Sequence, residues 1–263
     1  MKMTPYYISL ILFLNSCSQS SPMSDTWIDL THPFDSNTLY WPNNKVGFVH
    51  TTDYKGIVRP MGYFYSSYSI STPEHGGTHL DAPIHFAENK KTADQVPLSQ
   101  LTGKAIVIDV SAKALSNSDY QIQPEDIEDW ESKNGKIEDG TIVLFRTGYA
   151  QFYPDRKKYF GTDQKGEEAL SNLHFPGIHP EAAKWLVDNR KISSVGLDTP
   201  SMDYGQSREF KTHQIFLGQN IPGFENVNIP MNLPEKGLYL IALPMKIGNG
   251  SGAPLRIIVN VLS

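Results

Sequence analysis

The stretch His75–His85 reads HGGTHLDAPIH, and it holds three of the chain's eight histidines, one aspartate, two glycines and a proline. Imidazole and carboxylate together bind borderline-hard divalent cations. The composition therefore points to a site for Zn²⁺, Mn²⁺ or Fe²⁺, with positions left open for water. The spacing says how the ligands would meet. His75 and His79 are four apart, but Gly76-Gly77 stand between them, and a helix interior disfavours each glycine by about 1 kcal/mol. From Thr78 onward the alternation has period two, so His79, Asp81, Pro83 and His85 face one way along an extended segment. Pro83 also disfavours a helix centred on it, because it has no N–H to donate. The expected local structure is a Gly-Gly turn that folds His75 back beside an extended THLDAPIH. It gathers His75, His79 and Asp81 around one point and leaves His85 a little further along.

Two more candidates lie downstream. THQIFLGQNIPGFEN carries His213 and Glu225. A carboxylate in the otherwise apolar IPGFEN is costly to bury unless it is paired or bound to a cation. GLDTPSMDYGQS, a polar segment after an apolar run, is a further place for site residues. A bound divalent ion lowers the pKa of its water and polarises a carbonyl. A nearby histidine with an ordinary pKa near 6.5 can then carry the proton. The chain has no Gly-x-Ser-x-Gly nucleophile motif. GNGSGAPLR lacks both the Lys-Ser/Thr pair and the following helix of a phosphate loop, so it reads as a turn before the last strand. Cys17 is the only cysteine, which excludes an intrachain disulfide and a thiolate site in the folded part.

Several elements must position these residues. TWIDLTHPF, TLYWP (ending at Pro42), VGFVHTTDY and GYFYSSYSIST have the alternation and the aromatic and β-branched content of strands. AIVIDV (105–110), TIVLFR (141–146) and SSVGLD are continuous apolar runs, as expected of strands buried on both faces. LYLIALPM and RIIVNVL close the chain as strands. QPEDIEDWESKNG has Pro124 at its start, acids in its first turn and Gly135 after its end, which is helix punctuation. HPEAAKWLVDNRK is a second helix, with Ala182, Trp185 and Leu186 on its apolar face. Tyr149–Phe175 is charged and irregular and reads as an excursion over the surface. The sum is one strand-rich mixed α/β domain.

The N-terminus is of another kind. MKMTPYYISLILFLNSC has a lysine, then an apolar run too short to span a bilayer, then Leu-Asn-Ser-Cys. It reads as a signal peptide over 1–16, and the junction resembles a bacterial lipoprotein cleavage site that would leave a lipid on Cys17. Residues 17–26 read as a polar tether, with the folded domain over 27–263. The expected location is therefore the periplasm or cell envelope, with the membrane reached only through that lipid. Lys and Arg number 23 against 28 Asp and Glu, for a net charge of −5. No basic block appears, so nucleic acid is not an expected partner.

HGGTHLDAPIH matches the H-x-G-T-H-x-D-x-P-x-H signature of the metal-dependent cyclase family, which includes bacterial kynurenine formamidases and isatin hydrolases. WIDLTHPF, YWP, LFRTGY, GLDTPSMD and GFEN also resemble that family's segments, in order, from about Trp27 to Val261. The resemblance implies a domain of the swivelling β/β/α type, usually a homodimer or larger homo-oligomer. It implies that His75, His79 and Asp81 hold one metal, that Asp81 and Glu225 bridge to a second with His213 as a further ligand, and that His85 is the proton donor/acceptor. Trp41 matches an aromatic that lines the substrate pocket. One or two divalent ions, Zn or Mn, are expected per chain. The length of Tyr149–Phe175 is more like the isatin hydrolases, commonly one-metal manganese enzymes.

The expected function is hydrolysis of an aromatic amide or lactam, with metal-bound hydroxide attacking the carbonyl and His85 moving the proton. The alternative within the same chemistry is an arylformamidase acting on N-formylkynurenine in tryptophan catabolism. An exported metal- or ligand-binding lipoprotein without turnover is the alternative of another class. His85 argues against that last reading, since a pure binding site has no need of a fourth histidine beside an open coordination position.

Overall fold

The computed structural model describes residues 23–262; the expected signal peptide and Cys17 lie outside the described residues. The early strands are β1 (Met23–Asp29), β2 (Val49–Ile57), β3 (Phe64–Ser71), β4 (His79–Asp81) and β5 (Thr102–Asp109). Next come α1 (Ser111–Ser116), β6 (Gln121–Ile122), α2 (Pro124–Asn134), β7 (Ile142–Arg146), α3 (Arg156–Phe160) and β8 (Gly177–Ile178). The chain closes with α4 (Pro180–Asn189), β9 (Ser194–Leu197), α5 (Lys211–Gly218), β10 (Gly223–Glu225), β11 (Leu238–Pro244) and β12 (Gly252–Leu262).

The main sheet runs β1-β12-β11-β5-β7-β9-β10-β4, and β4 pairs back onto β12. Seven strands therefore close into a barrel-like ring. β1 extends the sheet along the C-terminal half of β12, where Ile28 faces Val259, while β4 takes the N-terminal end, where Asp81 faces Gly252. The steps β5-β7-β9-β10 are parallel, and α2, α4 and α5 lie in the crossovers between them. The expected mixed α/β, strand-rich domain is what the chain forms.

The continuous apolar runs are buried on both faces because the sheet separates two cores. Ala105, Val107, Ile142 and Leu144 join Leu80, Phe224, Leu240 and Ile257 in a cluster to which the helices contribute nothing. Their alternates Ile106, Ile108, Val143 and Phe145 pack against Ile127, Trp130, Leu186 and Phe216 of the helices. Neighbouring residues in one strand thus face opposite layers, as the pleat requires. Helix α2 starts with Pro124 at its first turn, and its Asp126 carboxylate accepts from the Gln123 N–H at 2.7 Å. An acid in the first turn also meets the positive end of the helix dipole.

Three expectations are corrected. TLYWP forms no strand. Its backbone braces the His75–His85 segment instead, as the Leu39 carbonyl accepts from the Gly77 N–H at 2.9 Å, and Leu39 and Tyr40 are buried in a loop. The segment Tyr149–Phe175 is more than a surface excursion. Tyr149, Tyr159, Phe160, Leu173 and Phe175 build a third apolar cluster with Leu39, and Trp41 packs against it. Its charged residues masked this, because they alternate with aromatics on short helical turns rather than in a long periodic run. Finally, β1 begins at Met23, four residues before Trp27, because β12 is long enough to pair there, Met23 facing Leu262.

Candidate active site

The Gly-Gly turn has the expected form. Gly76 (φ +149°) and Gly77 (φ +54°) both take backbone conformations that favour glycine. A Cβ on Gly76 would overlap the Tyr40 ring, and one on Gly77 would lie 2.8 Å from Phe34 Cζ. The extended run that follows is shorter than expected. β4 covers only His79–Asp81, and Pro83–His85 form a 3₁₀ turn with Pro83 in its first position, where a missing N–H costs nothing. That turn swings His85 back, so it does not lie further along but stacks on His75, rings 3.8 Å apart and inclined by 20°.

β4 is flanked by β10 and β12, and Glu225 of β10 stands opposite His79. His213 comes from α5. Its Nε2 lies 3.1 Å from Asp81 Oδ2 and 3.1 Å from Glu225 Oε1. His79 Nε2 lies 3.2 Å from Asp81 Oδ1 and 3.6 Å from Glu225 Oε2. His75 Nδ1 reaches Asp81 Oδ1 at 2.7 Å. The fold thus brings all five expected ligand residues to one place, and His79, Asp81, His213 and Glu225 are almost fully buried. Two groupings have ligand atoms within 4.8 Å of one another, His75–Asp81–His85 and His79–Asp81–Glu225, and Asp81 belongs to both.

The tautomers test whether a cation fits. His79 Nδ1 donates to the Gly77 carbonyl at 2.9 Å. In the neutral ring this leaves Nε2 as a lone pair, which is buried without a hydrogen-bond partner and close to two carboxylates. His213 Nδ1 is likewise held by Asp203 Oδ2 at 2.6 Å, which turns its Nε2 toward the same carboxylates. Two lone pairs facing two buried carboxylates repel one another unless positive charge sits among them. A proton supplies one solution and a divalent cation the other, and the Gly77 carbonyl and Asp203 behind the two rings are partners of the kind that orient metal-binding imidazoles. The residues present fit a metal.

The titration directions report this crowding. Burial alone would raise the Asp81 carboxyl, but His75, His213 and His79 outweigh it and hold it well below the usual carboxylate range. Glu225 moves the other way, raised by burial and by the charge of Asp81. His213 is held well above the usual imidazole range by Asp203, Asp81 and Glu225, although burial opposes this. His85, nearer the rim, is pushed down to about 4 by burial.

Above the cluster opens a cavity of about 290 Å³. His75, His79, His85, His213 and Glu225 form one side, and Trp41, Phe86, Phe160 and Phe210 line the rest together with Asn226. Trp41 meets Phe160, Phe175 and Phe210 edge-on at 6.2–6.4 Å. A slot of this kind, ionic at one end and aromatic at the other, suits a small planar ring carrying a carbonyl.

Three participants were not singled out from sequence. Asp203 orients His213 and lies in GLDTPSMD; an acid in a segment leaving a buried strand was the available signal. Ser251 Oγ reaches His75 Nε2 at 2.9 Å, and both its N–H and its hydroxyl donate to Glu74. It sits in the Gly-rich turn before β12, where nothing in the composition marks it. Tyr159 Oη donates to Asn226 Oδ1 at 3.0 Å from within the third cluster.

The chain is similar to known proteins over most of its length. A family model described as "Putative cyclase" matches residues 28–204. An isatin hydrolase of Roseibium aggregatum is 30% identical over 203 residues, covering 74% of this chain and 74% of that protein. A kynurenine formamidase of Salinibacter ruber is 30% identical over 235 residues, covering 88% of this chain and 96% of that protein. The solved structure of isatin hydrolase A from Labrenzia aggregata, bound to benzyl benzoate, superposes with a TM-score of 0.77 at 30% identity, covering 90% of this chain and 94% of that one.

Proposed function

The chain belongs to the Cyclase family, and from that premise we propose that it is a metal-dependent hydrolase opening a C–N bond of a small aromatic amide or lactam. The observation that carries this reading is the pair of imidazoles, His79 and His213, whose Nδ1 atoms are tied back so that both Nε2 atoms face Asp81 and Glu225. His75, His79, Asp81, His213 and Glu225 would hold the metal, one or two ions of Mn or Zn. When bound, the metal supplies Lewis acidity toward the substrate carbonyl and makes water a better nucleophile near neutral pH. Trp41, Phe160 and Phe210 receive the substrate ring by contact area, which rigid aromatics offer at small entropic cost. His85, at the cavity rim against His75, takes the proton from the attacking water and returns it to the departing nitrogen.

Two substrates of this class compete. The isatin hydrolase likeness supports a lactam. The coverage of 96% of a kynurenine formamidase, together with a ligand set large enough for two ions, supports an N-formyl arylamine. Turnover of isatin and of N-formylkynurenine by the metal-loaded protein decides between them through the ratio of kcat/KM. No turnover of either, with metal bound, would instead support the binding lipoprotein.

Trp41→Ala is expected to raise KM for the preferred substrate about 5- to 13-fold, in line with losing about 1–1.5 kcal/mol of ring contact, and to change kcat less. Michaelis–Menten curves on wild type and variant check this, and an unchanged KM would remove Trp41 from the substrate site.

Export is part of the proposal and rests on the sequence of residues 1–17. Cys17 is the mature N-terminus and carries lipid, and the enzyme works in the cell envelope as a homo-oligomer. Among the described residues no helix is long and apolar enough to cross a membrane. Cys17→Ala should move the protein out of the membrane fraction, and a variant that stays there with wild type refutes the lipid anchor.

A further inference from the structure

The Gly-rich turn GNGSGAPLR is no phosphate loop, yet it does more than lead into β12. Through Ser251 it reaches the histidine–carboxylate cluster. Ser251 Oγ stands 2.9 Å from His75 Nε2, and His75 Nδ1 stands 2.7 Å from Asp81 Oδ1. Those contacts have the order of a Ser-His-Asp nucleophile triad. Two observations speak against a nucleophile. Ser251 does not line the cavity above the cluster. Its one hydroxyl proton is also committed elsewhere, since Ser251 Oγ donates to Glu74 Oε2 at 2.7 Å and an ionised carboxylate can only accept.

That commitment fixes the neighbouring ring. A hydroxyl that gives its proton to Glu74 can only accept from His75, so the hydrogen of the neutral imidazole sits on Nε2. Nδ1 then keeps its lone pair and turns it to Asp81. His79 and His213 are tied back through Nδ1 and present Nε2. His75 is tied back through Nε2 and presents Nδ1. Backbone holds the arrangement in place. The N–H groups of Ser251 and Gly252 donate to the same Glu74 oxygen at 2.8 and 3.2 Å. The His75 ring packs so tightly on Gly252 that a Cβ there would stand 2.5 Å from its Cε1.

We propose that Glu74 and Ser251 are positioning residues that select the tautomer of His75 and so make Nδ1 the atom it offers to the metal. The proposal rests on the metal site proposed above and adds which atom of His75 serves it and what chooses that atom. Glu74 aims the Ser251 hydroxyl, and Ser251 takes the Nε2 hydrogen. Glu74 adjoins the His75–His85 segment, while Ser251 comes from the far end of the chain. The pair forms only because β12 closes on β4, where Gly252 faces Asp81.

Zinc titration and ¹⁵N NMR of the full chain test this without any turnover. Wild type loaded with Zn²⁺ is expected to carry an exchange-protected hydrogen on His75 Nε2 and a metal-shifted Nδ1. Ser251→Ala keeps both backbone bonds to Glu74 and removes only the acceptor. Its Zn²⁺ affinity should fall about 10–100-fold, and the Nε2 hydrogen should lose its protection. Ser251→Thr keeps the hydroxyl and should restore both. Glu74→Ala should weaken binding as Ser251→Ala does, because the freed hydroxyl can turn its own proton to Nε2. Glu74→Gln can place a carbonyl where Oε2 stands and should bind better than Glu74→Ala. Wild-type affinity in Ser251→Ala, with zinc bound, would remove the pair and leave the metal site standing. So would a His75 hydrogen found on Nδ1, or a Glu74→Gln as weak as Glu74→Ala. Covalent labelling of Ser251 by a fluorophosphonate would make it a nucleophile instead. A wild type that binds no Zn²⁺ would remove the metal site and the pair together.

Discussion

His79→Ala is expected to lose bound metal and turnover together, while His85→Ala keeps its metal and loses turnover by about 10²–10⁴-fold. The difference follows from where the two rings sit. His79 Nε2 is buried between Asp81 and Glu225 with no hydrogen-bond partner, so its removal deletes a donor that has no evident role other than to face a cation. Metal affinity rests on ligand number and geometry, and nothing nearby can replace that lone pair. His85 stacks on His75 and lines the cavity. Metal analysis, melting temperature and turnover on the same two preparations check both statements. Full activity in His85→Ala would sink the proton-transfer role. Loss of one equivalent of metal from His85→Ala would reassign it as a ligand, which its place beside His75 and Asp81 allows geometrically.

The site was legible where its residues are close in sequence or carry an energetic cost. HGGTHLDAPIH announced itself because positive-φ glycines and period-two alternation are local properties; the glycines are as expected, and the extended run holds for His79–Asp81. Glu225 was legible because a carboxylate among apolar residues requires a partner, and its partners are His213 and His79. The buried runs of β5, β7 and β9 were legible because apolar residues on both faces of a short strand fit little else. What stayed hidden depends on tertiary contact. Pro83–His85 turns because β4 ends where β12 and β10 leave it. Leu39 gives its carbonyl to Gly77 rather than to a sheet. The aromatics between Tyr149 and Phe175 are spaced by charged residues and become a cluster only when Trp41 and Leu39 arrive from a distant part of the chain. Ser251 is a small polar residue in a turn, and only the closure of the barrel brings it to His75.

Asp203 supplies the second large effect, because it shapes the site without contacting the metal position. Its Oδ2 accepts from His213 Nδ1 at 2.6 Å and from the His213 backbone N–H at 3.1 Å, while its Oδ1 accepts from Ser207 Oγ at 3.1 Å and the Thr212 N–H at 3.3 Å. One buried carboxylate therefore anchors the start of α5 and fixes the ring that α5 presents. Burial alone would raise its carboxyl, but the bonds to His213 and the charge there hold it below the usual range, so it is ionised at neutral pH and makes the His213 ring a stronger donor at Nε2. Asp203→Asn keeps the shape, removes the charge and offers an N–H₂ group where only acceptors are wanted. Metal affinity is expected to fall about 10–100-fold, the usual cost of losing an oriented partner behind a metal-binding imidazole. Turnover should fall with it and recover as metal is added, because the ligands themselves remain. Asp203→Ala should recover less, since several buried donors lose their acceptor, at about 1–3 kcal/mol each. Calorimetric titration with Mn²⁺ and Zn²⁺, read beside melting temperature, separates affinity from stability. Wild-type affinity in Asp203→Asn would mean that His213 is held by the helix alone. An affinity loss that added metal cannot restore would mean that Asp203 holds the fold rather than the ligand.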